Sequence, residues 1–315
     1  MFLEQGIKPH NKFWLYLLGS VLIITASFVG QIPFSVAVLY KSFTDQVPFS
    51  QDNAAVMKIF EPNLTLFLVL ISFAFALAGI YFTIKYLHRQ TMLSITTSRP
   101  QVDWKRIFFS FSLWSFFSIV SFLVIYFTSP ENFVWNFKLV PFLILVLVGS
   151  ILIPIQTSTE EYVFRGYLMQ GFANLARNRW FPLLMTSLIF GGMHVFNPEV
   201  TKMGYIIMVY YIGTGLFLGV ITLMDEGMEL ALGFHAANNL IGALLVTSDW
   251  SVFQTHSIFI DVSEPSAGLD VILPVVIVYP ILLLIFSKKY KWTNWKDKLK
   301  GTIKESNIEV QEFLN

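Results

Sequence analysis

Apolar residues in this chain come in long blocks rather than at a strand or amphipathic-helix period. Eight such blocks run over roughly 13–35, 64–84, 107–128, 139–159, 180–196, 203–224, 230–248 and 269–287. A helix needs about 20 apolar residues to cross the hydrocarbon core of a bilayer. Each block therefore predicts a transmembrane helix, although the fifth is short and two carry a histidine. No repeat or low-complexity tract divides the blocks. The expectation is an all-α, polytopic membrane protein, with about eight helices in one bundle enclosing an intramembrane polar cavity and a single membrane domain over 1–315. The charge-free run from Phe13 to Tyr40 far exceeds the ~7–15-residue apolar stretch of a cleavable signal, so it reads as an uncleaved first span.

Positive charge between the blocks is unevenly placed. With the N-terminus inside, the inner segments hold sixteen lysines and arginines: Lys8, Lys12, Lys85, Arg89, Arg99, Lys105, Arg106, Arg177, Arg179, Lys288, Lys289, Lys291, Lys296, Lys298, Lys300 and Lys304. The outer segments hold four: Lys41, Lys58, Lys138 and Lys202. The positive-inside rule then predicts an even number of spans with both termini cytoplasmic. Residues 288–315 form a basic cytoplasmic tail whose lysines, with Trp292 and Trp295, suit a flank lying on anionic headgroups.

Composition narrows the function. Hydrophobic residues make up 55% of the chain and charged residues 13%, with a net charge of +1. Bulk electrostatics therefore points to no nucleic-acid partner; the partners expected from composition are membrane lipids. The absence of cysteine removes disulfides, thiolate metal sites and cysteine nucleophiles.

Against this background five residues stand out. An ionisable group inside a bilayer costs about 2.5–3.5 kcal/mol on insertion scales and usually faces a cavity or another such group. Glu160, Glu161 and Arg165 follow the fourth block directly, and His194 and His235 interrupt the fifth and seventh. If the fourth helix continues to about Ala176 and "ARNRW" (176–180) turns the chain, Glu160 and His194 each lie 17 residues from Arg177. At ~1.5 Å per residue both are then about 25 Å from the tip of an antiparallel hairpin. His235 opens the seventh span, and Asp225, Glu226 and Glu229 put the preceding loop on the same side. The three groups are expected to converge in the cytoplasmic half of the bilayer.

Helical spacing refines the set. Glu161 and Arg165 are four apart, acid first, the favourable order for an intrahelical ion pair. That pair leaves Glu160 unpaired, turned about 100° away. His235 and Asn239 share one helix face, and Gly191, Gly192 and Gly233 beside the histidines allow close helix approach. Hydrolysis by activated water needs a base and a donor where negative charge develops, and these residues supply both. No serine lies in a G-x-S-x-G context, which disfavours a covalent route. Two histidines and a glutamate also make a zinc set, Glu160, His194 and His235, with an open water position. No H-E-x-x-H helix accompanies it, and water activated by glutamate without a metal is the favoured expectation.

Glu160-Glu161-Tyr162-Val163-Phe164-Arg165 reads as EExxxR, Phe190 to His194 as FxxxH, and His235 to Asn239 as HxxxN. In this order, on successive spans, the motifs resemble the CPBP family, the CaaX-protease and bacteriocin-processing membrane proteins that include the eukaryotic Ras-converting CaaX endopeptidase. The resemblance covers a catalytic-motif core of about 139–248. It implies an intramembrane endopeptidase acting on a membrane-associated substrate, prenylated or of bacteriocin type. Carried over by residue, Glu160 would be the general base for a water between it and His194. Glu161 and Arg165 would hold the helix and set the local field, and His235 and Asn239 would stabilise the oxyanion. Two other classes stay open on sequence alone: a non-catalytic immunity factor or scaffold of the same fold, and a small transporter that uses intramembrane Glu and His.

Overall fold

In the computed structural model, which describes residues 1–8, 10–45, 56–252, 254–265 and 268–303, all eight blocks fold as helices. They are α1 (Phe13–Asp45), α2 (Pro62–Leu87), α3 (Trp104–Thr128), α4 (Leu139–Ala176), α5 (Trp180–Met193), α6 (Met208–Asp225), α7 (Glu229–Leu245) and α8 (Val271–Tyr290). Their starts follow local rules. Pro62 opens α2 behind Glu61, whose carboxylate accepts the Leu64 N–H at 3.1 Å, and Asp103 accepts the Lys105 N–H at the start of α3.

Among the described residues six helices are long and apolar enough to cross a membrane: α1, α2, α3, α4, α8 and the stretch Tyr205–Asp225 that contains α6. The remaining two of the expected spans are shorter, 14 residues for α5 and 17 for α7. At ~1.5 Å per residue these reach about 21 and 26 Å, short of a ~30 Å hydrocarbon core. Their position explains this. Helix α7 is buried along most of its length between α3 and α4, and α5 packs along α6. A helix surrounded by protein rather than lipid has no need of an all-apolar surface. The core around α7 is aromatic, with Trp114, Phe217, Phe234 and Tyr279 in mutual ring contact.

Both described ends of the chain lie at one end of the bundle, with the basic inter-helix segments. Asp225 is the centre of a clasp there: it pairs with Arg99 at 2.9 Å and with Arg106, and accepts the Trp292 indole N–H at 3.0 Å. Arg99 also reaches Glu229 at 3.0 Å, and the Phe2 N–H donates to Glu226 at 2.7 Å. The tail expected to rest on headgroups is, through Ile303, partly docked on protein. Trp292 is buried, Lys298 donates to the Met224 carbonyl, and Thr302 bridges to Asn178. Lys304 and the rest of the tail lie outside the described residues.

At the opposite end the all-α expectation misses a small sheet. Strands β1 (Phe133–Trp135), β2 (Val246–Thr247) and β3 (Phe259–Asp261) pair in the order β1-β3-β2, antiparallel and then parallel. Runs of two or three residues carry no readable alternation. They pair because two inter-helix segments, α3–α4 with β1 and α7–α8 with β2 and β3, meet where their backbone groups need partners.

Candidate active site

Helix α4 does not stop at Thr159. It continues through a wider π-helical turn, Tyr162–Leu168, into Met169–Ala176, where Arg177 takes the left-handed conformation (φ 52°) and the chain turns into α5. The hairpin expected from the sequence is therefore present. Such π turns are uncommon and concentrate at functional sites; this one begins immediately after Glu160 and Glu161 and contains Arg165.

Glu161 and Arg165 are both fully buried, paired through Oε1 and Nη1 at 3.1 Å. The guanidinium also donates through Nη2 to the Gly215 carbonyl at 3.2 Å and lies over the Phe190 ring at 4.4 Å. The ion pair is not self-contained, however. The same Glu161 oxygen accepts His235 Nδ1 at 2.7 Å, while Glu161 Oε2 and Arg165 Nε are buried without partners. Glu161 thus anchors both the arginine one turn on and the imidazole of α7.

Glu160 faces the other nitrogen of the same ring, with Oε2 3.6 Å from His235 Nε2. Its side chain is 18% exposed against 0% for Glu161, so of the two carboxylates only Glu160 is reachable by water. Glu160 Oε1 accepts from the Gln156 side-chain amide, one turn earlier on α4. A separation of 3.6 Å is long for a direct bond and suits a bridging water.

His194 caps the C-terminus of α5. Its Nδ1 donates to the Phe190 carbonyl at 2.8 Å, and the ring stacks on Tyr211 at 4.3 Å. A carbonyl only accepts, so the proton of the neutral ring sits on Nδ1 and Nε2 is left as an acceptor. Phe190 lies between the two imidazoles, 4.9 Å from His194 and 5.9 Å from His235 by ring centroids. His194 joins the site through these ring contacts, whereas Glu161, Arg165 and His235 form one hydrogen-bonded group, Glu160 and Asn239 form a second through Gln156, and the two face each other across the 3.6 Å gap between Glu160 and His235.

Asn239 donates to Gln156 Oε1 at 3.1 Å and accepts from Asn238 at 3.0 Å. Asn238 Oδ1 takes the Trp114 indole N–H at 3.1 Å and the Tyr210 hydroxyl at 3.4 Å. Sequence reasoning passed over Gln156, Asn238, Trp114, Tyr210 and Tyr211. A signal existed for two of them: Gln156 stands one helical turn before Glu160, and Asn238 adjoins Asn239.

Close packing holds the elements at these distances. A Cβ at Gly191 would stand 2.4 Å from Ile212 Cγ1, and one at Gly233 would stand 2.1 Å from the Ile107 carbonyl oxygen, so both glycines sit where helices nearly touch. Gly192 does not share that role, because nothing lies within 4 Å of its Cβ position.

Among the described residues no group of three His, Cys, Asp or Glu side chains is placed to hold a metal ion.

Residues 135–241 match the family model described as "Type II CAAX prenyl endopeptidase Rce1-like", a stretch that contains every motif residue named above. A similar curated relative is "Uncharacterized protein YyaK" of Bacillus subtilis (strain 168), 27% identical over 250 residues, which are 79% of this chain and 83% of the relative. No solved structure matches significantly. The resemblance to the CPBP family is thus borne out over the catalytic-motif core, and the matched family is one of proteases.

Proposed function

We propose that this chain is an intramembrane endopeptidase that hydrolyses a peptide bond in a membrane-associated substrate, using water activated by Glu160 and His194. The observation that carries this reading is the placement of His235 between two carboxylates of unequal access: Nδ1 on buried Glu161, Nε2 toward part-exposed Glu160. A structural ion pair needs neither the second glutamate nor the exposure.

The residues divide the chemistry as follows. A water beside Glu160 Oε2 donates one proton to that carboxylate and its other hydrogen bond to His194 Nε2. The oxygen attacks the peptide carbonyl as its proton passes to Glu160. The developing oxyanion is held by His235 Nε2–H, which exists when the ring is an imidazolium, and by an Asn239 amide N–H. Arg165 and that imidazolium then balance the two glutamates. Collapse of the intermediate breaks the C–N bond, and Glu160 returns the proton to the leaving amine. No step requires a metal. Elemental analysis of active protein and survival of activity after exhaustive chelation check this, and stoichiometric zinc whose removal abolishes cleavage would reverse it.

The matched family's description names a prenylated CAAX substrate. The substrate class proposed here is a peptide held at the bilayer, prenylated or of bacteriocin type. The basic end of the bundle, with both termini, is assigned to the cytosol by its charge. The test is comparative proteomics of membrane-protein termini in cells carrying wild type or Glu160→Ala. Termini that vanish in the variant, with the protein still inserted, support the reading. Identical termini in both, or full activity of the variant on an identified substrate, overturn it.

A further inference from the structure

The hydrogen bonds that reach Glu160 run in one direction only. They begin at Trp114 on α3, whose indole N–H can donate but never accept. Asn238 must therefore present Oδ1 to it, which turns the Asn238 amide nitrogen toward Asn239 Oδ1. Asn239 in turn presents its nitrogen to Gln156 Oε1, and Gln156 its nitrogen to Glu160 Oε1. The oxygen and nitrogen of a side-chain amide are ordinarily hard to tell apart. Here the two ends of the chain decide all three: a donor-only indole at the start and an acceptor carboxylate at the finish.

We infer that Trp114, Asn238, Asn239 and Gln156 form a one-way amide relay that orients the Glu160 carboxylate, occupying Oε1 and leaving Oε2 free for the reacting water. This deepens the proposed proteolytic reading and rests on it for the role of Glu160. Gln156, Asn238 and Trp114 are positioning residues, since each acts through the relay on Glu160 Oε1 rather than on the reacting water. Asn239 serves twice, because an amide nitrogen carries two hydrogens and the relay uses one. The relay crosses from α3 to α7 to α4, so the base is oriented by three helices rather than by its own. Tyr210 gives Asn238 a second, longer donor at 3.4 Å, and loss of Trp114 alone is partly covered.

The test compares wild type with Gln156→Met, which keeps side-chain length and removes both the acceptor oxygen and the donor nitrogen of the amide. It also uses Trp114→Phe and the double variant Trp114→Phe/Tyr210→Phe, which keep rings in the core and remove the starting donors. Two readouts are taken on purified protein: cleavage of a quenched fluorescent peptide bearing a farnesylated CAAX end, and labelling of Glu160 by a carbodiimide with a small amine, followed by mass spectrometry. The relay predicts that Gln156→Met lowers kcat about 10- to 100-fold, as misplacement of a catalytic group does, with KM within about twofold. Glu160 labelling changes in the same variant, and the double variant moves both readouts further than Trp114→Phe alone. Unchanged kcat and labelling in Gln156→Met overturn the relay. If that variant does not fold, the same null result in the double variant overturns it. Labelling is independent of substrate. A wild type that cleaves nothing while labelling responds to the relay variants counts against the proteolytic reading and for the relay.

Discussion

His235 Nδ1 donates to Glu161 Oε1 at 2.7 Å across two helices, to the same oxygen that takes Arg165 Nη1 at 3.1 Å. The second glutamate of the EExxxR motif is therefore a clamp with two jaws. It neutralises Arg165 along α4, and it fixes the tautomer and tilt of the α7 imidazole so that Nε2 meets Glu160. A carboxylate holding one nitrogen of a histidine, so that the other faces the chemistry, is a general way of assigning the two ring nitrogens to separate roles.

Removing one jaw at a time separates folding from catalysis. Glu161→Leu leaves Arg165 buried without its counter-ion, a loss of about 3–5 kcal/mol for a broken buried pair. The double variant Glu161→Leu/Arg165→Leu removes both charges together, and much of that stability returns. Catalysis does not return, because His235 has lost its anchor. Thermal unfolding in detergent and a cleavage assay on the same samples check both halves: a stable double variant that cleaves at the wild-type rate contradicts the clamp.

His194 offers a cleaner separation. Its ring stacks on Tyr211 and touches Phe190, and its Nε2 is the acceptor left over. His194→Phe keeps both ring contacts and removes the acceptor. Cleavage is expected to fall about 10²- to 10⁴-fold, the range for losing an acid–base partner, with the melting temperature close to wild type. A large drop in melting temperature instead would show that the imidazole is there for packing.

What the sequence made legible, and what it hid, follows from energetic cost. Glu160, Arg165, His194 and His235 were conspicuous because an ionisable group in an apolar run is expensive and needs a reason. Gln156 and Asn238 are neutral amides and far less conspicuous, and their partners are as many as 124 positions away in the chain. The Arg99–Asp225–Glu229 clasp was visible only as loop charge, because loops do not announce which loops they meet. The short α5 and α7 were read as spans from their apolar composition, and only the burial of α7 along most of its length shows that it works inside the bundle. The sheet was invisible because its strands are two or three residues long.

Gly233 and Gly192 give opposite predictions from the same chemical change. An alanine Cβ at Gly233 would meet backbone atoms, 2.1 Å from the Ile107 oxygen and 3.0 Å from the Phe111 nitrogen, and neither can swing aside. Gly233→Ala must push α3 from α7 and is expected to cost on the order of 1–3 kcal/mol, as overpacking does. Cleavage falls with it, since His235 is two residues on. Gly192→Ala meets open space within a helix, so it is neutral or slightly stabilising. Paired thermal melts decide: equal shifts for the two substitutions would refute the close-contact argument.

The last prediction concerns acid. His88 follows α2 and is wholly buried, with Nδ1 bonded to Asn11 Oδ1 at 3.1 Å, Nε2 to the Tyr167 hydroxyl at 3.0 Å, and its ring against Tyr16 at 4.4 Å. Protonation would place a charge on a ring shut away from water, and its hydrogen-bond partners Asn11 and Tyr167 carry no negative charge to balance it. Burial pushes the His88 pKa down to about 4, and nearby His10 pushes in the same direction, against about 6.5 in an unfolded chain. Between those values the unfolded state holds the extra proton, so folding stability is full above about pH 6.5, declines as pH falls toward 4, and loses nothing further to this group below that. Tyr167 lies in the π turn that follows Glu160 and Glu161, so the loosening begins next to the site. Melting temperatures of wild type and His88→Gln from pH 7.5 to 4 isolate the contribution. The wild type should lose more than the variant, with the difference growing only inside that window. A difference that is flat with pH would mean that His88 is not buried as a neutral ring.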